Sequence, residues 1–191
     1  TIGISKSNYE YFNKNIIQIN KIIWRLKKIE IYNDNIKNKK ILQFEDNYDQ
    51  LFSILKNHYL HDILSKSLSK SKYLKKINFI QKKINFAEYN LVINTEILNT
   101  VTKKFFNKKI IKTYNSTAYT TIIHHQKFLN NIAVQIFTRK GPLAFLPISK
   151  NKTSVVYSIH NSKNTAKENI NQLINYYNFK YKINKIEKIQ S

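Results

Sequence analysis

Near the start of the chain the apolar positions fall at helical spacing. Ser5 or Ser7 can cap a short helix running to about Asn13, with Tyr9 and Phe12 on one face and Ile16, Ile17 and Ile19 following. From Trp24 the spacing changes. Leu26, Ile29 and Ile31, a polar Asn33-Asp34-Asn35 turn, and then Ile41, Leu42 and Phe44 read as a β-hairpin. Leu51 to Leu55 is a brief apolar run that suits a buried strand. Asn57 then looks like the N-cap of a helix in which Leu60, Ile63, Leu64 and Leu68 repeat at three and four residues as far as about Lys70.

Ile77 to Ile84 and Tyr89 to Ile93 are two further strand candidates, the second a near-continuous apolar run of the kind buried in a parallel sheet. Val101 to Phe106 resumes helical spacing, so a strand, a polar Asn94-Thr95-Glu96 turn and a helix follow in order. A phosphate can meet a helix N-terminus in such an arrangement, although glycine is missing here. Beyond Lys112 the chain turns β-like: Tyr119 to His125, Leu143 to Ile148 and Val155 to Ile159 read as three strands at meander spacing. Asn161 to Asn164 interrupts them, Thr165 can cap a helix carrying Ile170, Leu173, Ile174 and Tyr177, and Tyr181 to Ile189 alternates as a final strand. The pattern predicts an α+β fold without internal repeats.

Composition qualifies the charge. Lys, Asn and Ile supply 88 of the 191 residues, Gly and Pro occur twice each, and only Arg25 and Arg139 are arginine among 33 basic residues. Residues of A- and T-rich codons are in excess, so the net charge of +22 is first a mark of the genome and not of a nucleic-acid partner. The lysines are spread along the whole length on polar sides of amphipathic elements, without the clustering and aromatic interleaving of a specific nucleic-acid site. The absence of Cys excludes disulfides, thiolate metal sites and a Cys nucleophile. With 42% hydrophobic residues the chain can bury a core, and no run approaches the 18 or so apolar residues of a membrane span. The lack of any Met suggests a fragment or a processed chain.

Candidate chemistry is sparse. His58 and His61 lie three apart on a helix, a metal-sharing spacing, but no third ligand is placed and two surface histidines are the better reading. His124 and His125 are adjacent on a strand, so one faces the core and the other solvent. Nothing resembles the nucleophile elbow of a Ser/His/Asp hydrolase. The stretch Phe137 to Ile148 stands apart, because Gly141, Pro142 and Pro147 fall within seven residues of a chain otherwise starved of both types. A fixed backbone is the physical reason to keep them there, either for a tight turn or for close approach of a ligand.

At this stretch the sequence resembles the ubiquinone-biosynthesis aromatic-ring hydroxylases, FAD-dependent monooxygenases of the p-hydroxybenzoate hydroxylase fold. Their block F-x-x-x-G-P-L-A-x-L-P-L is matched by Phe137, Gly141 to Ala144 and Leu146-Pro147-Ile148. On either side, Tyr114, Ala118, His125, Asn131 and Ala133 fall at family positions, and Ser154 to Tyr157 looks like the family's S-L-V-W strand. Leu51, Asn57 and Leu60 match a block further upstream, and Thr1 to Ser5 resembles the segment that follows a flavin-contacting Arg. The family's G-A-D-G-x-x-S-x-x-R block aligns with Asn94-Thr95-Glu96-Ile97, then Thr100 and Lys103, so Asp has become Glu96, the second Gly Ile97 and Arg Lys103.

The resemblance implies the middle of a two-domain flavoprotein. Residues 1–20, 50–110 and 161–180 would belong to the FAD-binding domain, and 21–48 with 112–160 to the antiparallel substrate sheet. It further implies hydroxylation of a polyprenylated phenol using molecular oxygen, an electron donor and FAD. Asn94, Glu96, Gly141 and Pro142 would lie against the cofactor, and Leu143 and Phe145 against the substrate. The expected location is the cytoplasm, peripheral on the inner membrane, with a ubiquinone-synthesis complex as partner and no specific nucleic acid. A degenerate, non-catalytic scaffold relative and a basic RNA-binding protein are the alternatives.

Overall fold

Ser5 both ends the first strand and starts the first helix, because its extended backbone leaves the hydroxyl free to accept the Asn8 amide at 3.2 Å. The computed structural model describes residues 1–34, 39–45, 50–77, 85–106, 110–160 and 169–191. In chain order the elements are β1 (Ile2–Ser5), α1 (Lys6–Asn15), β2 (Ile23–Leu26), β3 (Lys28–Asn33), β4 (Lys40–Glu45), β5 (Phe52–Leu55), α2 (Asn57–Ser69), α3 (Thr100–Phe105), β6 (Ser116–His125), β7 (Ile132–Thr138), β8 (Gly141–Ser149), β9 (Lys152–His160), α4 (Ile170–Tyr177) and β10 (Ile183–Ile186). The fold is α+β. Two compact units divide it, one made of 1–67 with 115–191 and the other of 68–114.

The first unit holds two sheets. A seven-stranded sheet runs β10-β6-β9-β8-β7-β3-β4, antiparallel throughout except where β3 lies parallel to β7. A three-stranded antiparallel sheet runs β1-β5-β2. The expected hairpin is present as β3 and β4, with Ile29 opposite Phe44 and Ile31 opposite Leu42. Leu26 is not part of it. The chain breaks at Lys27, whose amide donates to the Asn131 carbonyl, and β2 joins β5 in the small sheet.

The expected meander is also rearranged. β9 pairs with both β6 and β8, and β7, absent from the sequence reading, inserts β8's other neighbour. α2 begins at Asn57 itself, the expected cap, since the Lys56 carbonyl already accepts the amides of Tyr59 and Leu60. Tyr89 to Ile93 is not a strand: Leu91 and Ile93 are 75% and 79% exposed and pair with nothing regular. Most of the Ile77–Ile84 candidate, from 78 to 84, and Thr165 lie outside the described residues.

The main core fills one face of the large sheet. Ile123, Val134, Ile136, Leu143, Phe145, Val155, Tyr157 and Ile159 meet Ile170 and Ile174 of α4, with Leu173 and Tyr177 beside them. Asn169 starts α4 by accepting the Gln172 amide. A fully buried amide ties the sheets together. Asn130 Nδ2 donates to the Ser149 carbonyl at 2.9 Å and to Thr153 Oγ1 at 3.0 Å, while its backbone carbonyl accepts the indole N–H of Trp24 on β2 at 2.6 Å.

His125 completes this cluster. Its Nδ1–H donates to the Gln126 carbonyl at 2.9 Å, and the Thr153 hydroxyl, 3.0 Å away, donates to Nε2. The rings of Phe128 and Tyr181 stack nearby at 5.1 and 4.7 Å. This is the neutral imidazole, and burial pushes its pKa below the ordinary 6.5, with Lys180 and His124 adding to the shift against the Gln126 hydrogen bond.

The unfolded chain therefore takes up a proton at a pH where the folded His125 does not. Stability should be full above the ordinary imidazole value and fall as pH drops below 6.5 toward the folded pKa, and His125→Gln should flatten that limb in urea titrations at a series of pH values. Asn130→Ala should lower stability by about 1–3 kcal/mol, read in the same titrations, because it removes the buried donor to Ser149 and Thr153 while leaving the backbone bond to Trp24.

Candidate functional site

Strand alternation gives the large sheet a second face, and its residues are smaller and more polar than those of the core face. Ala118, Thr120 and Ile122 of β6, Ser154 and Val156 of β9, and Ala144 of β8 point to this side, as the registers Ala144↔Val156 and Thr120↔Val156 require. The small sheet covers one end of the face through Leu26, Ile54 and Ala133, with Trp24, Leu146 and Ile148 alongside. Farther along it a cavity of about 360 Å³ opens between Thr1, Thr120, Ile122, Ser154, Val156 and the chain past β10 at Glu187, Lys188 and Gln190. The hydroxyls of Thr1 and Ser154 stand 3.3 Å apart across it.

His124 lies on the same face at the β10 edge, with Nε2 2.7 Å from the Glu187 carboxylate. That hydrogen bond holds the Glu187 carboxyl below its usual range, against a smaller opposing effect of burial. Thr121 Oγ1 and the Ile122 carbonyl fasten the Glu187 backbone to β6, which fixes this wall of the cavity.

Gly141 occupies the turn between β7 and β8. Its φ is +150°, and a Cβ there would lie 1.9 Å from the Ser158 carbonyl oxygen of β9. Thr138 closes the turn, its hydroxyl donating to the Gly141 carbonyl at 2.7 Å and accepting the amides of Lys140 and Gly141. The glycine makes room for a neighbouring strand, so backbone packing alone accounts for it. Pro142 is half-buried on the open face, opposite Phe137.

Leu143 and Phe145 were expected beside a ring substrate, and the structure puts them elsewhere. They are 1% and 2% exposed in the main core, packed under α4. A period of two explains the difference: Ala144, between them, is the side chain of that segment that faces the open side.

Asn94 and Glu96 belong to the second unit, where they form a self-contained turn. Asn94 Oδ1 accepts the Glu96 amide at 3.3 Å and the Asn99 side-chain amide at 2.8 Å, and its Nδ2 donates to the Glu96 carbonyl and to Thr102 Oγ1. Thr102 Oγ1 in turn donates to the Glu96 carbonyl, and Asn99 caps α3 by accepting the Thr102 amide. Both polar atoms of Asn94 are engaged within the turn, and the exposed Glu96 brings a negative charge. These residues do not fit the phosphates of FAD. Beside them Phe86, Val92, Val101, Phe105 and Phe106 line an apolar hollow of about 200 Å³.

His58 and His61 are exposed on α2, with His61 Nδ1 3.6 Å from Asp62. No group of three metal-ligating side chains occurs among the described residues. The open-face residues Thr1, Thr120, Ser154 and Val156 were missed in the sequence, although the β alternation that separates them from the core was legible there.

Gly141→Ala should destabilise the protein by about 2–4 kcal/mol, since both the φ and the Ser158 carbonyl resist a methyl group. Gly3→Ala should cost less, because its Cβ would meet the ring edge of Phe52 and not a backbone. Thermal melting of the two variants checks the order. Compared with known proteins, the chain matches no family model, and no curated protein matches it significantly.

Proposed function

We propose that this chain carries the middle portion of an FAD-dependent aromatic-ring monooxygenase that hydroxylates a polyprenyl phenol in ubiquinone biosynthesis, with the open face of the large sheet as one wall of its ring site. One observation carries the reading. The segments that resemble the family at the chain start, at β6 and at β9 lie up to 153 residues apart and meet around a single cavity. Nothing about sequence spacing requires that convergence.

The donor set suits a planar, polar-edged ring. Thr1, Thr120 and Ser154 offer hydroxyls that both donate and accept, while Ile122 and Val156 give an apolar floor, with Ala144 next to Val156 on the neighbouring strand. In this reading the hydroxyl-bearing residues hold the ring system of FAD, and Ala144 and Val156 lie toward the phenol. When bound, FAD supplies the oxidising chemistry, with molecular oxygen and an electron donor consumed to place a hydroxyl on the ring. The chain's own work is to orient the ring and exclude water. Asn94 and Glu96 take no part in holding phosphates.

The second unit exposes Leu91, Ile93, Ile97 and Leu98, each more than 70% accessible. Apolar exposure on that scale suits a surface covered by further protein, as in a larger flavoprotein or a synthesis complex. No helix among the described residues is long and apolar enough to cross a membrane. A lipid-tailed substrate suits peripheral attachment, which the abundant lysines would favour at an anionic surface. The self-contained Asn94–Thr102 turn favours a second reading, a scaffold relative that has lost its cofactor.

The whole gene product distinguishes them. If the first reading holds, it purifies yellow, releases flavin on denaturation, and loses at least about tenfold in kcat on Ala144→Phe with its flavin content and Tm nearly unchanged. A colourless product that still joins a ubiquinone-synthesis assembly supports the scaffold.

A further inference from the structure

On the core side of the large sheet, away from the open face, the end of β3 and the end of α4 enclose a second hollow of about 300 Å³. Four aromatic rings line it: Tyr32, Tyr176, Tyr177 and Phe179. Tyr32 and Phe179 meet with centroids 5.2 Å apart, and Tyr176 stands edge-on to Tyr177 at 4.8 Å, so the rings present faces in different directions around the space. Among the described residues of the lining, Asp34 is the one charged group, and none is a lysine or arginine.

The hydroxyls reinforce this polarity. Tyr32 donates to the Glu30 carboxylate at 3.0 Å, and Lys40 Nζ pairs with the same carboxylate at 3.2 Å. Burial and the Glu30 carboxylate push the Tyr32 pKa up to about 12, and burial and the nearby Asp34 carboxylate push that of Tyr177 higher still, so both remain neutral phenols beside a carboxylate. A phenol that donates to a carboxylate has a more electron-rich ring. Tyr176 and Phe179 are 78% and 51% exposed, leaving the hollow open to solvent.

We propose that this hollow is a binding site for a quaternary ammonium group of the choline type. Aromatic rings grouped around one space attract a large, weakly hydrated cation through the ring quadrupole, and the Asp34 carboxylate in the lining adds long-range attraction without needing an N–H donor from the ligand. A primary ammonium would be drawn less strongly, because it must shed a tighter hydration shell. The volume is several times the roughly 30 Å³ share of one water, enough for a trimethylammonium head. The site is independent of FAD and of the open face.

Isothermal titration of the 191-residue chain with choline, and with its uncharged isostere 3,3-dimethylbutan-1-ol, tests the charge requirement. Choline should saturate a single site and bind at least roughly tenfold tighter than the alcohol. Tyr176→Ala, at an exposed position that folding does not need, and Asp34→Asn should each weaken choline binding several-fold with the circular dichroism spectrum unchanged. Phosphatidylcholine vesicles that sediment the chain, and release it to free choline, would assign the ammonium to a lipid headgroup; choline binding without sedimentation would assign it to the free cation. Either result supports the site. Equal affinity for choline and the alcohol, no saturable choline binding, or an unaltered Tyr176→Ala titration would overturn it.

Discussion

A single buried amide holds the larger unit in register. Asn130 reaches the β8–β9 turn through its side-chain Nδ2 and the small sheet through its backbone carbonyl, and it does so from the connection between β6 and β7. Buried polar groups are costly without partners, and although Oδ1 is left without one, these bonds dictate the positions of Ser149, Thr153 and Trp24 together. His125 extends the same logic by accepting from Thr153, which itself accepts from Asn130. Packing alone would let the two sheets slide, since aliphatic contacts carry little direction. The polar clasp supplies the direction.

With the sheets fixed, β6, β7, β8 and β9 each have one side in the main core and the other turned away from it. Bulk goes inward at Leu143, Phe145 and Tyr157. Small and hydroxyl-bearing groups go outward at Ala118, Ala144 and Ser154. The open side thus keeps space without a hole in the core, and the tight passage of Gly141 beneath Ser158 lets β8 and β9 lie close enough for a continuous floor. Room for a ligand and close packing are met by alternate residues of the same strands.

The sequence was informative where pattern and chemistry agreed. Ser5 as a cap, the Lys28–Glu45 hairpin, the helices at 57 and 170, and one buried and one half-exposed histidine at 124–125 were all legible, because each rests on a local rule. Tyr89–Ile93 misled for a compositional reason: in a chain so rich in Ile, an apolar run carries little information about burial. β7 escaped notice because Gln135 and the exposed Phe137 blur its alternation. The motif around Gly141 was visible, but the strand parity that sends Leu143 and Phe145 into the core and Ala144 to the open face shows only once β8 is paired. Thr1, Thr120 and Ser154 come together only through pairings between distant segments, which no local signal encodes. The aromatic hollow at Tyr32 and Tyr177 is of the same kind, since tyrosine is common throughout the chain.

The parallel contact between β3 and β7 sets a timetable for biosynthesis. Trp24 and its acceptor on Asn130 are 106 residues apart, and β3 waits a comparable stretch for β7. At about 5–20 residues per second, a ribosome needs roughly 5–20 s to supply that stretch. During this interval the β3–β4 hairpin is held only by its own local pairing, and Ile41, Leu42 and Phe44 are about half exposed even in the finished fold. A nascent chain of this sequence therefore carries a half-satisfied, apolar ribbon for many seconds before β7 covers the open edge of β3.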